Sequence, residues 1–145
     1  MKKLLLGTFA ALALLGANAA ESLTWLTDLP KAQAQAKAEK KLVMLDFTGS
    51  DWCGWCIKLN NEVFSKPEFA EYAKQNLVCV EVDFPSKKKL SAEQTKANDA
   101  LAKKYDIKGY PTIIVLDSEG KKVGELGYMK GGPTAFIAAL NKLKQ

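Results

Sequence analysis

The sequence predicts an α/β fold whose central mixed β-sheet is flanked by helices on both faces. Short apolar runs typical of buried strands alternate with helix-forming segments, in the order βαβ and then ββα. The last two strands are predicted to form an antiparallel hairpin, and no segment of the chain repeats another. The 145 residues suit one domain behind a short leader.

The leader has the features of a secretory signal peptide. Lys2 and Lys3 form a basic start, an apolar run spans Leu4 to Leu15, and Ala17-Asn18-Ala19 is a small-x-small cleavage site. The apolar run is shorter than the ~20 residues of a membrane-spanning helix, and no cysteine follows it to accept a lipid. We therefore expect a signal peptide over 1–19, a domain over 20–145, and a periplasmic or secreted protein without a stable membrane anchor.

The segments before the first cysteine are predicted to form a lead-in, a helix and a strand. The lead-in, Glu21 to Leu29, has apolar side chains that suit a short edge strand or packing over the domain. Pro30 then starts a helix, and Lys31 to Lys41 is rich in the strong helix formers Ala, Gln, Lys and Glu. The apolar run Leu42-Val43-Met44-Leu45 predicts a buried strand, followed by a loop and a helix that opens at Cys53.

The middle of the chain continues the alternation. The cysteine-bearing helix is predicted to end before Pro67, because proline cannot continue a hydrogen-bonded helix. A short amphipathic helix over Glu68 to Gln75 precedes a valine-rich strand over Leu77 to Phe84. The Lys87-Lys88-Lys89 triplet is interpreted as a solvated loop, and Ser91 as the cap of the next helix.

The end of the chain predicts a hairpin and a helix. Thr112 to Leu116 is apolar and β-branched, and the turn-forming residues Asp117 to Gly120 separate it from a second strand over Val123 to Leu126. Pro133 lies in the first turn of a final helix, whose apolar residues Phe136, Ile137, Leu140 and Leu143 recur at helical spacing.

Cys53 and Cys56 form the candidate redox site. At a helix N-terminus, unpaired N–H groups and the helix dipole lower the pKa of a thiol, so Cys53 would supply thiolate at neutral pH. Cys56, one turn later, can reach the sulfur of Cys53. A purely structural disulfide between them would close too short a loop to constrain the unfolded chain much. Cys79 lies in a predicted buried strand and is interpreted as an inert core residue.

Composition argues against several other functions. The net charge of +5 comes from lysines scattered among acids, and arginine is absent, so nucleic acid is not an expected partner. Two close thiolates suit soft metals, which makes a copper carrier or similar metal-binding module the alternative from another class. The chain has no histidine and one further cysteine, whereas structural zinc wants four ligands. We expect no metal and no cofactor.

Two segments resemble the thioredoxin family. Asp46-Phe47, followed by Trp52-Cys53-Gly54-Trp55-Cys56-Ile57-Lys58, is similar to the thioredoxin active-site segment. The stretch from Tyr105 to Thr112 resembles the family's segment around its cis-proline, here Pro111. The resemblance extends over nearly all of the predicted domain, including the hairpin, Gly127 and the final helix. It includes the Gly-Ser-Asp-Trp-Cys opening of secreted bacterial thioredoxin-like proteins.

The resemblance implies a thioredoxin fold and a thiol-disulfide oxidoreductase that reduces or isomerises protein disulfides. It makes Cys53 the attacking thiolate and Cys56 the resolving thiol. Asp46 would be a buried carboxylate that helps Cys56 to lose its proton. Pro111 would follow a cis bond that turns the Tyr110 backbone toward an extended substrate segment.

Trp52 and Trp55, which flank Cys53, are the remaining substrate-binding candidates beside Tyr110 and Pro111. Trp55 occupies the place of a proline in thioredoxin, and it supplies neither the rigidity of proline nor the charge of the histidine found in strongly oxidising relatives. A net disulfide oxidase is therefore the alternative within the redox class. We expect reductase or isomerase activity, because the residues around Cys53 resemble thioredoxin more. The expected partners are protein thiols or disulfides and a membrane or periplasmic electron donor.

Overall fold

A computed structural model describes residues 22–144. The predicted signal peptide, 1–19, and the predicted start of the domain at residue 20 lie outside the described residues. Within residues 22–144, no helix combines the length and the apolar character that crossing a membrane requires.

The strands of the described chain form one mixed sheet. They are β1 (Trp25–Leu26), β2 (Leu42–Thr48), β3 (Leu77–Asp83), β4 (Thr112–Leu116) and β5 (Lys122–Leu126). Their order across the sheet is β1-β3-β2-β4-β5. β3 pairs in parallel with both β1 and β2, whereas β4 is antiparallel to β2 and to β5. The lead-in therefore supplies an edge strand, and the predicted hairpin is confirmed.

Helices cover both faces of this sheet. They are α1 (Leu29–Glu39), α2 (Gly54–Leu59), α3 (Pro67–Asn76), α4 (Ala92–Lys104) and α5 (Gly132–Lys142). Residues of α1 and α4 pack on one face, and residues of α2, α3 and α5 pack on the other. This arrangement confirms the α/β fold class that the order of elements predicts.

Local sequence signals explain where two of the helices begin. Asp28 caps α1, because its carboxylate accepts a hydrogen bond of 2.8 Å from the backbone N–H of Lys31. Ser91 caps α4 in the same way, with its hydroxyl oxygen 3.1 Å from the backbone nitrogen of Gln94. A proline lies in the first turn of α1, α3 and α5, where its missing N–H has no helical partner to lose.

The core has two layers, one on each side of the sheet. Successive residues of a strand point to opposite faces. In β2, Val43, Leu45 and Phe47 therefore pack against α1 and α4, while Met44 packs on the face of α2, α3 and α5. Asp46 has the same parity as Met44, so its side chain points toward the face that carries α2.

Two elements depart from the prediction. β2 continues to Thr48, three residues beyond the predicted strand, because β3 and β4 pair with it on both sides and extend the hydrogen-bonded register. The helix after Cys53 changes at Asn60 into a π-helical segment, Asn60–Phe64, before the chain breaks at Ser65. A bulge of this kind inside a helix shifts the following side chains, and here it buries Val63 and Phe64.

Candidate active site

Cys53 and Cys56 lie at the start of α2 and are joined by a disulfide, with their Cα atoms 5.2 Å apart. Cys53 is the N-cap of the helix, as the sequence predicts, and its Sγ accepts a hydrogen bond of 3.2 Å from the backbone N–H of Cys56. Both cysteines are largely buried. A thiolate on Cys53 would meet this N–H and the positive end of the helix dipole, both of which favour the charged form.

Asp46 lies in β2 beneath these cysteines, as a buried carboxyl group. It is 8 % exposed, and its Oδ1 has no hydrogen-bond partner among the described residues. Burial, followed by repulsion from Glu81 and Asp83, raises the pKa of Asp46 to about 8. A carboxyl group with this pKa can both accept and release a proton near neutral pH.

Asp46 and Cys56 line the same cavity, which has a volume of about 190 Å³. Its lining residues in the described chain are Asp46, Thr48, Ser50, Cys56, Ile57, Asn60 and Glu81. Asp46 and Cys56 therefore border one common space, and the role of Asp46 toward the Cys56 proton stays a prediction.

The segment before Cys53 is fastened to the chain that follows β3. Asp83 accepts hydrogen bonds from the backbone N–H and the hydroxyl of Ser50, at 2.9 and 2.6 Å. Asp51 accepts from three successive backbone N–H groups, those of residues 86–88, at 2.7 to 3.0 Å. The indole N–H of Trp52 donates to the carbonyl oxygen of Phe84 at 2.7 Å. These bonds fix the approach to Cys53 and shape the loop that carries the lysine triplet.

The loop before β4 approaches the active-site segment through aromatic contacts. The Tyr110-Pro111 peptide bond is cis, as the resemblance implies. The ring of Tyr110 meets the half-exposed ring of Trp52 edge to face, with centroids 6.0 Å apart, and it also contacts Phe84 at 5.3 Å. The structure therefore brings Tyr110 into contact with Trp52, the residue that precedes Cys53.

Trp55 lies in a separate cluster. Its ring is 57 % exposed and lies 4.9 Å from that of Tyr128, centroid to centroid. The Lys58 ammonium lies 5.1 Å from the Trp55 centroid and 5.2 Å from that of Tyr128. Glu62 accepts a hydrogen bond of 2.8 Å from the Tyr128 hydroxyl. These neighbours hold an exposed indole in place where thioredoxin has a proline.

Cys79 lies in β3, with 2 % of its surface exposed, and it forms no disulfide with the described residues. Burial, with a smaller contribution from Asp46, raises the pKa of its thiol far above the usual range. It is packed among apolar side chains of the α2 face. This surrounding matches the predicted role of Cys79 as a core residue.

The described residues contain no group of three or more His, Cys, Asp or Glu side chains arranged to hold a metal ion.

Comparison with known proteins places this site in a family. The thioredoxin-like domain family matches residues 29–144, which include both cysteines, Asp46 and Pro111. The chain belongs to the thioredoxin-like family. The Cys53–Cys56 pair at the start of α2 fits the redox pair of this family, and the chain is a thiol-disulfide oxidoreductase, like the relatives described next.

Named relatives are consistent with this assignment. The chain is 38 % identical over 120 residues to a disulfide bond reductase DsbH of Chlamydia pneumoniae, covering 83 % of this chain and 72 % of that protein. It is 35 % identical over 96 residues to a thiol:disulfide interchange protein DsbD of Cronobacter sakazakii. That match covers 66 % of this chain but 15 % of the much longer DsbD.

Among solved structures, a DsbH oxidoreductase superposes with a TM-score of 0.81 at 33 % identity. The superposition covers 99 % of this chain and 94 % of the DsbH chain. The thioredoxin fold that the resemblance implies is therefore confirmed.

Sequence reasoning missed several residues that shape the site. Glu81 lines the cavity of Asp46, and its place as an acid within an apolar strand was the available signal. Asp51 and Asp83 appear in the sequence as ordinary acids, because their partners lie more than thirty positions away. Tyr128 likewise has no local motif that indicates its contact with Trp55.

Proposed function

We propose that this protein reduces or isomerises disulfide bonds of exported proteins, using Cys53 as the attacking thiolate and Cys56 as the resolving thiol. The observation that carries the proposal is the Cys53–Cys56 pair at the start of α2, with Cys56 and the buried carboxyl group of Asp46 on one cavity. The pair supplies the electrons, and the carboxyl group supplies a proton acceptor.

The reaction has two thiol-disulfide exchanges. The Cys53 thiolate attacks one sulfur of the substrate disulfide, forms a mixed disulfide and releases the other substrate sulfur as a thiolate. Cys56 passes its proton to Asp46 and attacks Sγ of Cys53. This second attack forms the Cys53–Cys56 disulfide and releases the remaining substrate sulfur. Two electrons have then moved to the substrate, and a thiol-class electron donor in the same compartment must restore the dithiol.

Two surfaces beside Cys53 support binding of an extended substrate segment. Trp52, which precedes Cys53, contacts Tyr110, and the backbone of Tyr110 and Pro111 leads directly into β4, where an extended segment can pair with it. Trp55, in its separate cluster with Tyr128, offers a second exposed aromatic face. We assign substrate contact to these four residues.

The direction of electron flow is proposed to be reductive. The DsbH relative is named a disulfide bond reductase, and it shares 38 % identity with this chain. Its match covers most of both proteins, so the similarity includes the region around the cysteine pair. The site also lacks a histidine between the cysteines, which removes the charge that stabilises the reduced form of strong oxidants.

Turnover of a protein disulfide tests the proposal. The purified protein is added to insulin and dithiothreitol, and the precipitation of reduced insulin chains is followed. We expect faster precipitation with the wild-type protein and none of this acceleration with Cys53→Ala. Cys79→Ser serves as the matched cysteine control and keeps the activity.

A parallel assay measures the opposite direction, by following the formation of disulfides in reduced ribonuclease. If the oxidised protein completes this reaction faster than the reduced protein attacks insulin, the net oxidase is the correct function and the reductase proposal fails.

A further inference from the structure

The proton that Asp46 takes from Cys56 has to leave the site before the next turnover. Asp46 is 8 % exposed, so it has little direct contact with bulk water. On the side of β4, its neighbour in the sheet is Ile113, which is fully buried and apolar. On the side of β3, its neighbour in register is Glu81. The polar route away from Asp46 therefore leads toward β3.

Glu81 links this route to the solvent. It lines the same cavity as Asp46 and Cys56, and its side chain is only partly buried. The other lining residues of the described chain are neutral, apart from Asp46 and the redox-active Cys56. Among these residues Glu81 is thus the second carboxyl group. It borders the cavity, and part of its surface is exposed to solvent.

The charged groups around Glu81 suit a group that gains and loses protons. Asp83 lies on the same strand and face, and the Lys88 ammonium forms an ion pair with Asp83 at 2.9 Å. Partial burial and then Asp83 raise the pKa of Glu81, while Lys88 opposes them. The raised pKa brings Glu81 closer to the range of Asp46, so a proton can pass between the two groups with a smaller free-energy difference.

We propose that Glu81 relays the proton of the resolving step from Asp46 to solvent, across the cavity that both side chains share with Cys56. The inference rests on the proposed function. Glu81 acts through Asp46 and not on the reacting sulfurs. It is therefore a positioning residue, which carries the proton away from Asp46, and not a catalytic residue.

The relay has three balanced transfers. The Cys56 thiol gives its proton to the Asp46 carboxylate as its sulfur attacks Sγ of Cys53. Protonated Asp46 then gives a proton to the Glu81 carboxylate, directly or through a water in the cavity, and regains its negative charge. Glu81 gives the proton to bulk water or buffer. No electron moves in the last two transfers, and the site is again ready to accept a proton.

Stopped-flow kinetics separates this role from a simple charge effect. Reduced protein is mixed with a disulfide substrate at rising concentration at pH 7, and the tryptophan fluorescence is followed. The rate at low concentration reports attack by Cys53, whereas the plateau at high concentration reports resolution by Cys56. Glu81 belongs to the second step, so the relay predicts a change in the plateau alone.

The key variant is Glu81→Gln, compared with Glu68→Gln, which removes one negative charge from an exposed position on α3. If Glu81 only repelled the Asp46 charge, its neutralisation would lower the pKa of Asp46. More Asp46 would then be ionised at pH 7, and the plateau rate of the resolving step would rise. The relay predicts the opposite sign. We expect the Glu81→Gln plateau to fall about tenfold, less than the ~10²-fold or more of a direct general base. Glu68→Gln should leave it unchanged.

A double mutant tests whether the proton passes through Asp46. In an Asp46→Asn background the first acceptor is missing, so Glu81→Gln should slow the plateau no further. Added imidazole, a small proton carrier, should partly restore the Glu81→Gln plateau. Glu81→Asp keeps a carboxyl group on a shorter side chain and should give an intermediate rate. If Glu81→Gln does not fold, the same comparison is made with Glu81→Asp.

The outcomes are distinct. A Glu81→Gln plateau equal to or faster than wild type overturns the relay, as does an equal slowing in the presence and absence of Asp46. If Glu81→Asp carries the test, a plateau equal to wild type overturns it and a slower one supports it. A wild-type protein that never reduces the substrate would instead overturn the proposed function, before any Glu81 variant is compared.

Discussion

The carboxylate of Asp51 lies 2.8 Å from the backbone nitrogen of Ser86, thirty-five positions further along the chain. The backbone nitrogens of Lys87 and Lys88 lie 2.7 and 3.0 Å from the same carboxylate. One partly exposed acid beside the active-site turn therefore holds three consecutive amides of the loop after β3. This contact joins the approach to Cys53 to the loop that carries the lysine triplet.

Replacing Asp51 by Asn should loosen that loop. The charge strengthens the bonds to the amides of residues 86–88, and the bond to Ser86 is the largest of the causes that lower the pKa of Asp51. We expect faster hydrogen exchange at these three amides in Asp51→Asn, measured by mass spectrometry. Glu71→Gln, on the exposed side of α3, is the charge-matched control. Unchanged exchange at residues 86–88 would mean that the loop holds its shape without Asp51.

The two active-site cysteines should behave differently when each is removed. Cys53→Ala leaves no attacking thiolate, so reduction of a protein disulfide should stop. Cys56→Ala can still attack the substrate disulfide through Cys53, but it lacks the thiol that resolves the mixed disulfide. We expect a covalent protein–substrate adduct with Cys56→Ala on a non-reducing gel, and none with Cys53→Ala. Adducts of equal yield with the two variants would contradict the assignment.

Asp46 should make the stability of the protein depend on pH. Its pKa is raised from 3.8 to about 8 in the fold, so the folded state binds a proton that the unfolded state has released over this interval. Stability therefore falls as pH rises from about 4 to 8. Asp46→Asn should remove this loss and stabilise the protein at pH 8.5 by up to several kcal/mol, since one pKa unit corresponds to about 1.4 kcal/mol.

Guanidinium unfolding of the oxidised protein at pH 5 and pH 8.5 measures this difference. The gain from Asp46→Asn should be larger at the higher pH. A gain that is the same at both values would show that Asp46 does not titrate between them.

Trp55 should matter for large substrates more than for small ones. Its exposed ring, held by Tyr128 and Lys58, offers contact area that a protein substrate can cover and a small disulfide cannot. We expect Trp55→Ala to lower kcat/KM for insulin by about fivefold to tenfold, which corresponds to about 1–1.4 kcal/mol. The value for hydroxyethyl disulfide should stay within about twofold, the scatter expected for a change worth less than ~0.5 kcal/mol. An equal loss with both substrates would indicate an effect on the cysteine pair itself.

The reduction potential of the Cys53–Cys56 pair should lie at about −180 to −250 mV, between the ~−270 mV of thioredoxin and the ~−120 mV of DsbA. Position 55 is a tryptophan here, whereas thioredoxin has a proline and DsbA a histidine at that place. Equilibration with glutathione buffers measures the potential, and Trp55→Pro should shift it toward thioredoxin. A value near −120 mV would contradict reduction as the net reaction.

Local sequence predicted the parts of the molecule whose signals lie within a few residues. The cap at Ser91, the break at Pro67 and the Cys53 N-cap each depend on neighbours along the chain, and each is found where expected. The Cys53–Cys56 pair and the cis bond before Pro111 followed from motifs that resemble thioredoxin.

The features that the sequence did not predict depend on contacts between segments far apart in the chain. β2 extends to Thr48 because β3 and β4 lie on both sides of it, and that arrangement is set by the whole sheet. In the sequence, Glu81 is one acid in a valine-rich strand. The pairing register of β2 and β3 places it beside Asp46. The contact between Trp55 and Tyr128 likewise joins residues separated by most of the domain.

The buried position of Cys79 makes its thiol a reporter of local opening in the oxidised protein. With Cys53 and Cys56 joined to each other, Cys79 is the one cysteine of the chain left to react with a thiol reagent, and it is 2 % exposed. Labelling must then wait for an opening of the sheet around β3. The rate at which the oxidised native protein takes up one label therefore measures how often that region opens, at a single atom and without any added probe.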